Sequence, residues 1–519
     1  MDQKHPNILI IMADQLTGKL FNSRGPADFL HAPTLKALAA DSMVFSNCYT
    51  ASPLCAPARS AFMTGQLPSR TGIYDNAAEF PAATPSFAHY LREAGYQTSL
   101  CGKMHFVGPD QLHGFEERLT TDIYPADFAW TPDYRAPEKR ADWWYHNMGS
   151  VTDAGIAEIS NQLEFDDEVA FCATQKIYDL ARGKDERPWC LTVSFTHPHD
   201  PYVARKKYMQ LYEDCAQLYP TILEMDADHQ DAHSKRLLAS YNHAAYNITD
   251  QHIKTARQAY FANISYLDEK IGEMMDALSA TDQQPIIIFL SDHGDMIGER
   301  GLWYKMSFYE GSARIPLMIK HPDHAPSRIK CPVSQLDIMP TICDLAGIER
   351  DMNVSKIDGH SLLPVMNGET RTQPVLMEYA AEGSHAPLVS IRSGSYKYNH
   401  CALDPDQLFN LSSDPNELVN LADKPSEKAE MKKMKTLSNE IWDMDRFDQQ
   451  VRESQANRKL VSSALRKGKY HAWDHQPIKD ASNRFMRNHM DLNRLEHNQR
   501  YPQPSSDKPA PDKPASDKS

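Results

Sequence analysis

The chain has 519 residues, 41% hydrophobic and 24% charged, an ordinary globular composition that excludes a disordered or fibrous protein. Asp and Glu number 69 against 55 Lys and Arg, and the formal charge of −14 argues against general nucleic-acid binding, which draws affinity from neutralised phosphates. No apolar run approaches the ~20 residues of a membrane span, no basic, apolar and small-residue series marks a secretory signal, and nine scattered cysteines without CxxC pairs suggest neither a disulfide framework nor a zinc site. A soluble cytoplasmic protein without membrane contact is the expectation.

Asn7 to Asp14 is an uninterrupted apolar stretch ending on an acid, the pattern of a strand buried on both faces. Thr84 and Pro85 open a helix that runs to Ala94 and stops at Gly95. Gln97 to Leu100 and Trp189 to Phe195 repeat the strand pattern. Ile253, Ala256, Tyr260, Ile264, Leu267, Ile271, Met274 and Leu278 then recur at helical spacing, the core-facing stripe of one long helix. A fourth strand runs from Pro285 to Leu290. Strands alternating with helices predict an α/β domain, in which ligands collect beyond the carboxyl ends of the strands.

From about Pro374 short β-rich segments, Leu388 to Arg392 and Tyr396 to Tyr398, precede a charged helical stretch, Lys424 to Asp445. The expected division is a catalytic α/β domain over 1–373, a smaller α+β domain over 374–445, an extended C-terminal segment over 446–500 and a disordered Pro/Ser/Lys/Asp tail over 501–519. Residues 446–492 are rich in charge and aromatics and read as lacking an apolar period.

Polar groups of a catalytic kind follow every strand: Asp14 and Gln15; Lys103 and His105; His197, His199 and Asp200; Asp292 and His293. One acid at a strand end could simply cap the next helix; four strands doing it together point to one crevice. Asp14, Gln15, Asp292 and His293 suggest a hard-cation site of the Ca²⁺, Mg²⁺ or Mn²⁺ kind, with the imidazole tilting it toward Mn²⁺. Cys55 sits in a Pro-punctuated turn before a predicted helix, with Arg59 four residues on. A helix N-terminus and a guanidinium together make a site for a tetrahedral oxyanion. The residues alone therefore predict a metal-assisted enzyme acting on an anionic ester, with Cys55 or its product as nucleophile.

At these positions the chain resembles the sulfatase family. Cys55-Ala56-Pro57-Ala58-Arg59 followed by Thr64-Gly65 matches its Cys-x-Pro-x-Arg pattern, in which the cysteine is oxidised to formylglycine. Gly102-Lys103 with His105, the His197 segment, Ser291-Asp292-His293-Gly294 and Lys305 fall in the family's order. Gln15 replaces the second acid of the usual Asp-Asp pair, and His293 replaces the more usual Asn. Asp142-Trp143-Trp144-Tyr145-His146-Asn147 and Arg484-Phe485-Met486-Arg487-Asn488-His489-Met490 resemble the choline sulfatase subgroup.

The resemblance implies an alkaline-phosphatase-like sandwich with a large mixed or parallel sheet flanked by helices. It implies a cytoplasmic hydrolase of choline O-sulfate, with catalytic residues Cys55, Arg59, Lys103, His105, His197 and Lys305. One divalent cation is implied, Ca²⁺ first with Mn²⁺ or Mg²⁺ as alternatives, held by Asp14, Gln15, Cys55, Asp292 and His293. His197, aided by Lys305, would protonate the leaving alkoxide, and His105 would act as the base. Trp130, His146, Asn147 and Asp491 are the candidates for the choline head, while Trp143 and Trp144 read first as core residues. A homo-oligomer, dimer or tetramer, and a formylglycine-generating maturation enzyme are the expected partners, with Asp491 serving a neighbouring subunit. Hydrolysis of another alkyl sulfate or of phosphonate and phosphate diesters, and non-catalytic oxyanion binding on the same fold, are the competing readings.

Overall fold

In the computed structural model, which describes residues 5–226, 228–351, 354–478, 485 and 491–502, the predicted apolar runs lie side by side. The main sheet contains nine strands: β1 (Ile8–Ala13), β2 (Met43–Tyr49), β3 (Gln97–Gly102), β4 (Glu117–Arg118), β5 (Trp189–Ser194), β6 (Ile286–Ser291), β7 (Arg314–Lys320), β8 (Arg328–Ile329) and β9 (Val333–Ser334). They lie in the order β8-β2-β7-β6-β1-β5-β3-β4, with β9 also paired to β2. β1 runs parallel to β5 and β6, pairing Ile10 with Thr192 and Ile288. Only β7 runs against its neighbours, which makes the sheet mixed.

All of β1 is buried because both faces are covered. Leu9, Ile11 and Ala13 join one apolar cluster and Ile8, Ile10 and Met12 the other, as the alternation of side chains along a strand requires. The helices used below are α1 (Cys55–Thr64), α2 (Phe87–Glu93), α3 (Asn161–Arg182), α4 (Asp250–Ala280), α5 (Lys428–Ile441), α6 (Met444–Leu465) and α7 (Leu492–Gln499). α4 carries the predicted stripe into the first cluster and is capped by Thr249 and His252. The predicted helix near residue 90 is α2; Ser86 with His89, rather than Thr84, caps it.

A second, antiparallel sheet consists of β10 (Val375–Tyr379), β11 (Leu388–Ser393), β12 (Tyr396–Cys401) and β13 (Gln407–Asn410). The buried Lys397 of β12 fixes it to the main sheet: Nζ donates to Phe308 O at 2.6 Å and pairs with Glu310 at 2.9 Å and Glu417 at 2.5 Å. Residues 446–465, read as lacking a helical period, form most of α6 and pack with Phe447 and Val451 buried. The period is present, but Gln455 and Arg458 continue the buried face. Among the described residues no helix is long and apolar enough to cross a membrane. Arg484, Arg487, His489 and the tail from 503 lie outside the described residues.

Candidate active site

The carboxyl ends of β1, β3, β5 and β6 meet in one crevice, and the first residue of α1, Cys55, faces them. Gly102 allows β3 to turn there: φ is 100°, and a Cβ would stand 1.9 Å from the Ser194 carbonyl oxygen. Asp14, Cys55, Asp292 and His293 are buried with ligand atoms within 4.8 Å of one another. Asp14 Oδ1 is buried without a hydrogen-bond partner among the described residues, the kind of atom a cation would satisfy. Asp14 Oδ2 accepts from Arg59 at 2.8 Å and also pairs with Lys103. Burial and the Cys55 thiolate push the Asp14 carboxyl up, but Lys103, His199 and Arg59 prevail and hold it well below the usual carboxylate range.

Cys55 Sγ lies 3.3 Å from His293 Nε2 and 3.6 Å from Lys103 Nζ. Burial raises its pKa; Lys103, Lys305 and His293 more than offset this and hold the thiol well below its ordinary value. Among the described residues neither ring nitrogen of the buried His105 has a nitrogen or oxygen partner, and the ring favours the Cys55 thiolate.

Arg59 stands differently from its oxyanion reading. It donates to Asp292 at 2.9 Å, Asp14 at 2.8 Å, Lys103 O at 2.5 Å and Ser194 Oγ at 2.8 Å, with no exposed surface. It braces the two carboxylates. Gln15, read as a cation ligand, has protein partners at both ends of its side chain. Its Oε1 accepts from Lys305 at 2.7 Å, and Nε2 donates to Asp295 at 2.6 Å and Asp200 at 3.3 Å.

The pairing of His197 with Lys305 is corrected too. Asp166 of α3 holds the backbone amide of His197 at 2.9 Å and its Nδ1 at 2.6 Å, and the ring lies edge-on to Tyr266. His199 is the residue beside Lys305, with Nε2 2.6 Å from Nζ. Its Nδ1 faces the Asp200 carbonyl at 2.6 Å, which sets the tautomer and leaves Nε2 for the lysine. Both histidines were visible in the sequence; which one enters the crevice depends on the turn that follows β5.

Trp130 lies 5.2 Å from Tyr124, 5.9 Å from His105 and 6.1 Å from Trp144, the two indoles being nearly parallel. Trp144 continues to Tyr145 at 4.3 Å. Trp143, read as core, is 64% exposed. His146 packs on Tyr304 and reaches Asp200 at 3.4 Å. Asn147 is committed elsewhere: its Oδ1 accepts from Gly149 N and Tyr246 Oη, and its carbonyl from Tyr304. Asp491 is exposed and caps α7, whose C-terminal end contacts Arg182. Arg182 is the last residue of α3, sixteen residues beyond Asp166.

Glu382 was missed. It follows β10 by three residues, the same strand-end signal that marked the other acids, but on the second sheet. It is buried, its Oε2 has no hydrogen-bond partner among the described residues, and burial with Asp75 nearby raises it to about 7. It is close enough to Lys305, Cys55 and Tyr145 to interact with all three.

Residues 6–348 match the sulfatase family model. The chain belongs to the sulfatase family. The sulfatase also matches the model for the C-terminal region of N-sulphoglucosamine sulphohydrolase over 298–444 and that of the choline sulfatase C terminus over 449–501. It is 61% identical to the choline-sulfatase of Rhizobium meliloti (strain 1021), covering 96% of this chain and 98% of the relative. The arylsulfatase of Clostridium perfringens (strain 13 / Type A) is 28% identical over 78% of this chain and 90% of its own. The phosphonate monoester hydrolase of Agrobacterium radiobacter shares the fold, with a TM-score of 0.65 at 24% identity, covering 83% of this chain and 95% of that one. The large mixed sheet with its smaller antiparallel partner is the alkaline-phosphatase-like architecture, and the sulfatase is a hydrolase of sulfuric esters.

Proposed function

We propose that this sulfatase hydrolyses choline O-sulfate to choline and sulfate. The observation that carries the reading is its 61% identity, over 96% of the chain, to the Rhizobium meliloti choline-sulfatase. The aromatic cluster beside His105 supports it. A quaternary ammonium has a charge but no hydrogen-bond donor, so aromatic faces and a carboxylate recognise it. Tyr124, Trp130, Trp144 and Tyr145 supply the faces, and Glu382 supplies the carboxylate. Asp491 enters the proposal as a contribution to a neighbouring subunit of a homo-oligomer.

Asp14, Cys55, Asp292 and His293 would hold one divalent cation: the carboxylates suit Ca²⁺, and the imidazole moves the preference toward Mn²⁺. Bound there, the cation supplies Lewis-acid stabilisation of negative charge. A maturation enzyme converting Cys55 to formylglycine would provide a hydrated aldehyde oxygen as nucleophile, in keeping with the Cys-x-Pro-x-Arg pattern.

Lys103 and Lys305 offset the charge on the sulfuryl oxygens. Choline departs as a strongly basic alkoxide and needs a proton as its bond to sulfur breaks. We assign that proton to the Lys305–His199 pair, in preference to His197. Gln15 steadies Lys305, and Asp200 orients His199. His105, buried beside Cys55, is assigned as the base that regenerates the nucleophile. The nine cysteines, none in a disulfide, support a cytoplasmic compartment where thiols stay reduced.

The test compares kcat/KM for choline sulfate, an aryl sulfate and a phosphodiester, with mass spectrometry of the Cys55 peptide and metal analysis of the same sample. Choline sulfate should be the best substrate. Faster turnover of either other ester would overturn the proposal.

A further inference from the structure

The segment matched by the choline sulfatase C-terminal model, 449–501, includes most of α6, and α6 packs against the turn Phe128–Trp130. Its buried face is unusual in ending on a cation. Arg458 is 6% exposed, and its two terminal nitrogens each donate at 2.7 Å to a different oxygen of Asp75, which is wholly buried. Such a fork fixes both distance and plane. The same guanidinium donates to Thr131 Oγ1 at 3.2 Å.

The two partners lead to opposite ends of the proposed substrate. Asp75 is followed by Asn76, whose Oδ1 accepts from Ala56 N at 3.0 Å in the first turn of α1, next to Cys55. Thr131 follows Trp130, and its hydroxyl closes the turn Phe128–Trp130 by donating to Phe128 O at 2.8 Å. One side chain thus ties the segment carrying the nucleophile to the segment carrying the indole. Gln455, one turn earlier on α6, accepts from Tyr134 N at 2.8 Å and holds the far end of the same loop.

We infer that Arg458 is a positioning residue that fixes the separation between Cys55 and Trp130, and so selects the two-carbon spacing between sulfate ester and quaternary ammonium. The inference rests on the choline sulfate reading above. Arg458 touches neither reacting atoms nor ammonium; it acts through Asp75 and Thr131. A ruler of this kind acts on chain length. A merely structural contact would lower all activities together.

The experiment measures kcat and KM for trimethylammonium alkyl sulfates with two, three and four carbons between the charges, and for an aryl sulfate. Wild type, Arg458→Lys and Thr131→Val are compared, with thermal denaturation of each. Wild type should favour two carbons. Because misplacement by an ångström can cost about a hundredfold, Arg458→Lys should lower kcat/KM for the two-carbon substrate by about ten- to a hundredfold relative to the three-carbon one. Thr131→Val, which leaves the Arg458–Asp75 fork intact, should shift the preference in the same direction by less, and it carries the test if Arg458→Lys does not fold. Aryl sulfate turnover should change little in either. Folded variants that keep the wild-type length preference overturn the inference while the choline reading stands. Failure of wild type to turn over the two-carbon substrate removes that reading and the inference together.

Discussion

The exchange of His199 for His197 beside Lys305 has a direct kinetic consequence. General acid catalysis contributes about 10²- to 10⁴-fold, which is roughly 2.7–5.5 kcal/mol at ~1.36 kcal/mol per tenfold. The need falls on the leaving group: an alkoxide requires the proton, whereas a nitrophenolate departs without one. His199→Asn removes the partner 2.6 Å from Lys305 Nζ, so choline sulfate kcat should fall by about 10²- to 10⁴-fold. Nitrophenyl sulfate should lose far less. His197→Asn acts elsewhere. It takes the ring from Asp166 but leaves that carboxylate the amides of Thr196 and His197 at 2.8 and 2.9 Å. Loss of one buried hydrogen bond costs about 1–3 kcal/mol of stability, which should appear as a lower Tm and an equal loss on both substrates. The assay is kcat across sulfate esters of graded leaving-group basicity, for both variants. A steeper dependence in His197→Asn than in His199→Asn would refute the assignment.

Cys55→Ser should give at most one turnover and accumulate a sulfated protein, detectable by intact mass, because a single hydroxyl cannot expel sulfate; sustained turnover would count against the diol mechanism. Burial holds Glu382 protonated to about pH 7, so KM for choline sulfate should fall as pH rises through that value and the carboxylate forms, with aryl sulfate KM flat and Glu382→Gln removing the change. The sign for folding is opposite: with its folded pKa raised, Glu382 contributes stability at low pH that is lost between the ordinary carboxylate range and about 7, and Glu382→Gln should flatten that part of the stability profile. Adding Ca²⁺ or Mn²⁺ to chelator-stripped protein should raise the Tm, by about 2.7 kcal/mol of stability at a hundred times Kd; Asp14→Asn should abolish the rise, and no rise in wild type would argue against a cation at this cluster.

What the sequence reveals depends on how directly a residue's neighbours determine its environment. β1, β5 and β6 are legible because a strand buried on both faces must be apolar throughout, and the acids at their ends follow from the topology. β7 is not, since Pro316 interrupts it and the register against β2 shifts between Ile315 and Leu317. α6 is hidden because Gln455 and Arg458 occupy positions of its buried face where apolar residues would have declared it. Asp14, Cys55, Lys103 and Asp292, all visible at strand ends or in motifs, lie together in one buried cluster. The partners of Gln15 and His199 are not legible, because side-chain direction after a strand end is set by residues distant in sequence: Lys305, Asp295 and Asp200.

Lys397 makes the seam between the two sheets a poor place to divide this protein. Peeling β12 from the main sheet would leave a wholly buried ammonium without Glu310, and the Phe308 carbonyl without its donor. The sheets are therefore expected to melt in one calorimetric transition. Exchange of the second sheet with that of a relative is expected to succeed only when the lysine and its acidic partners travel together.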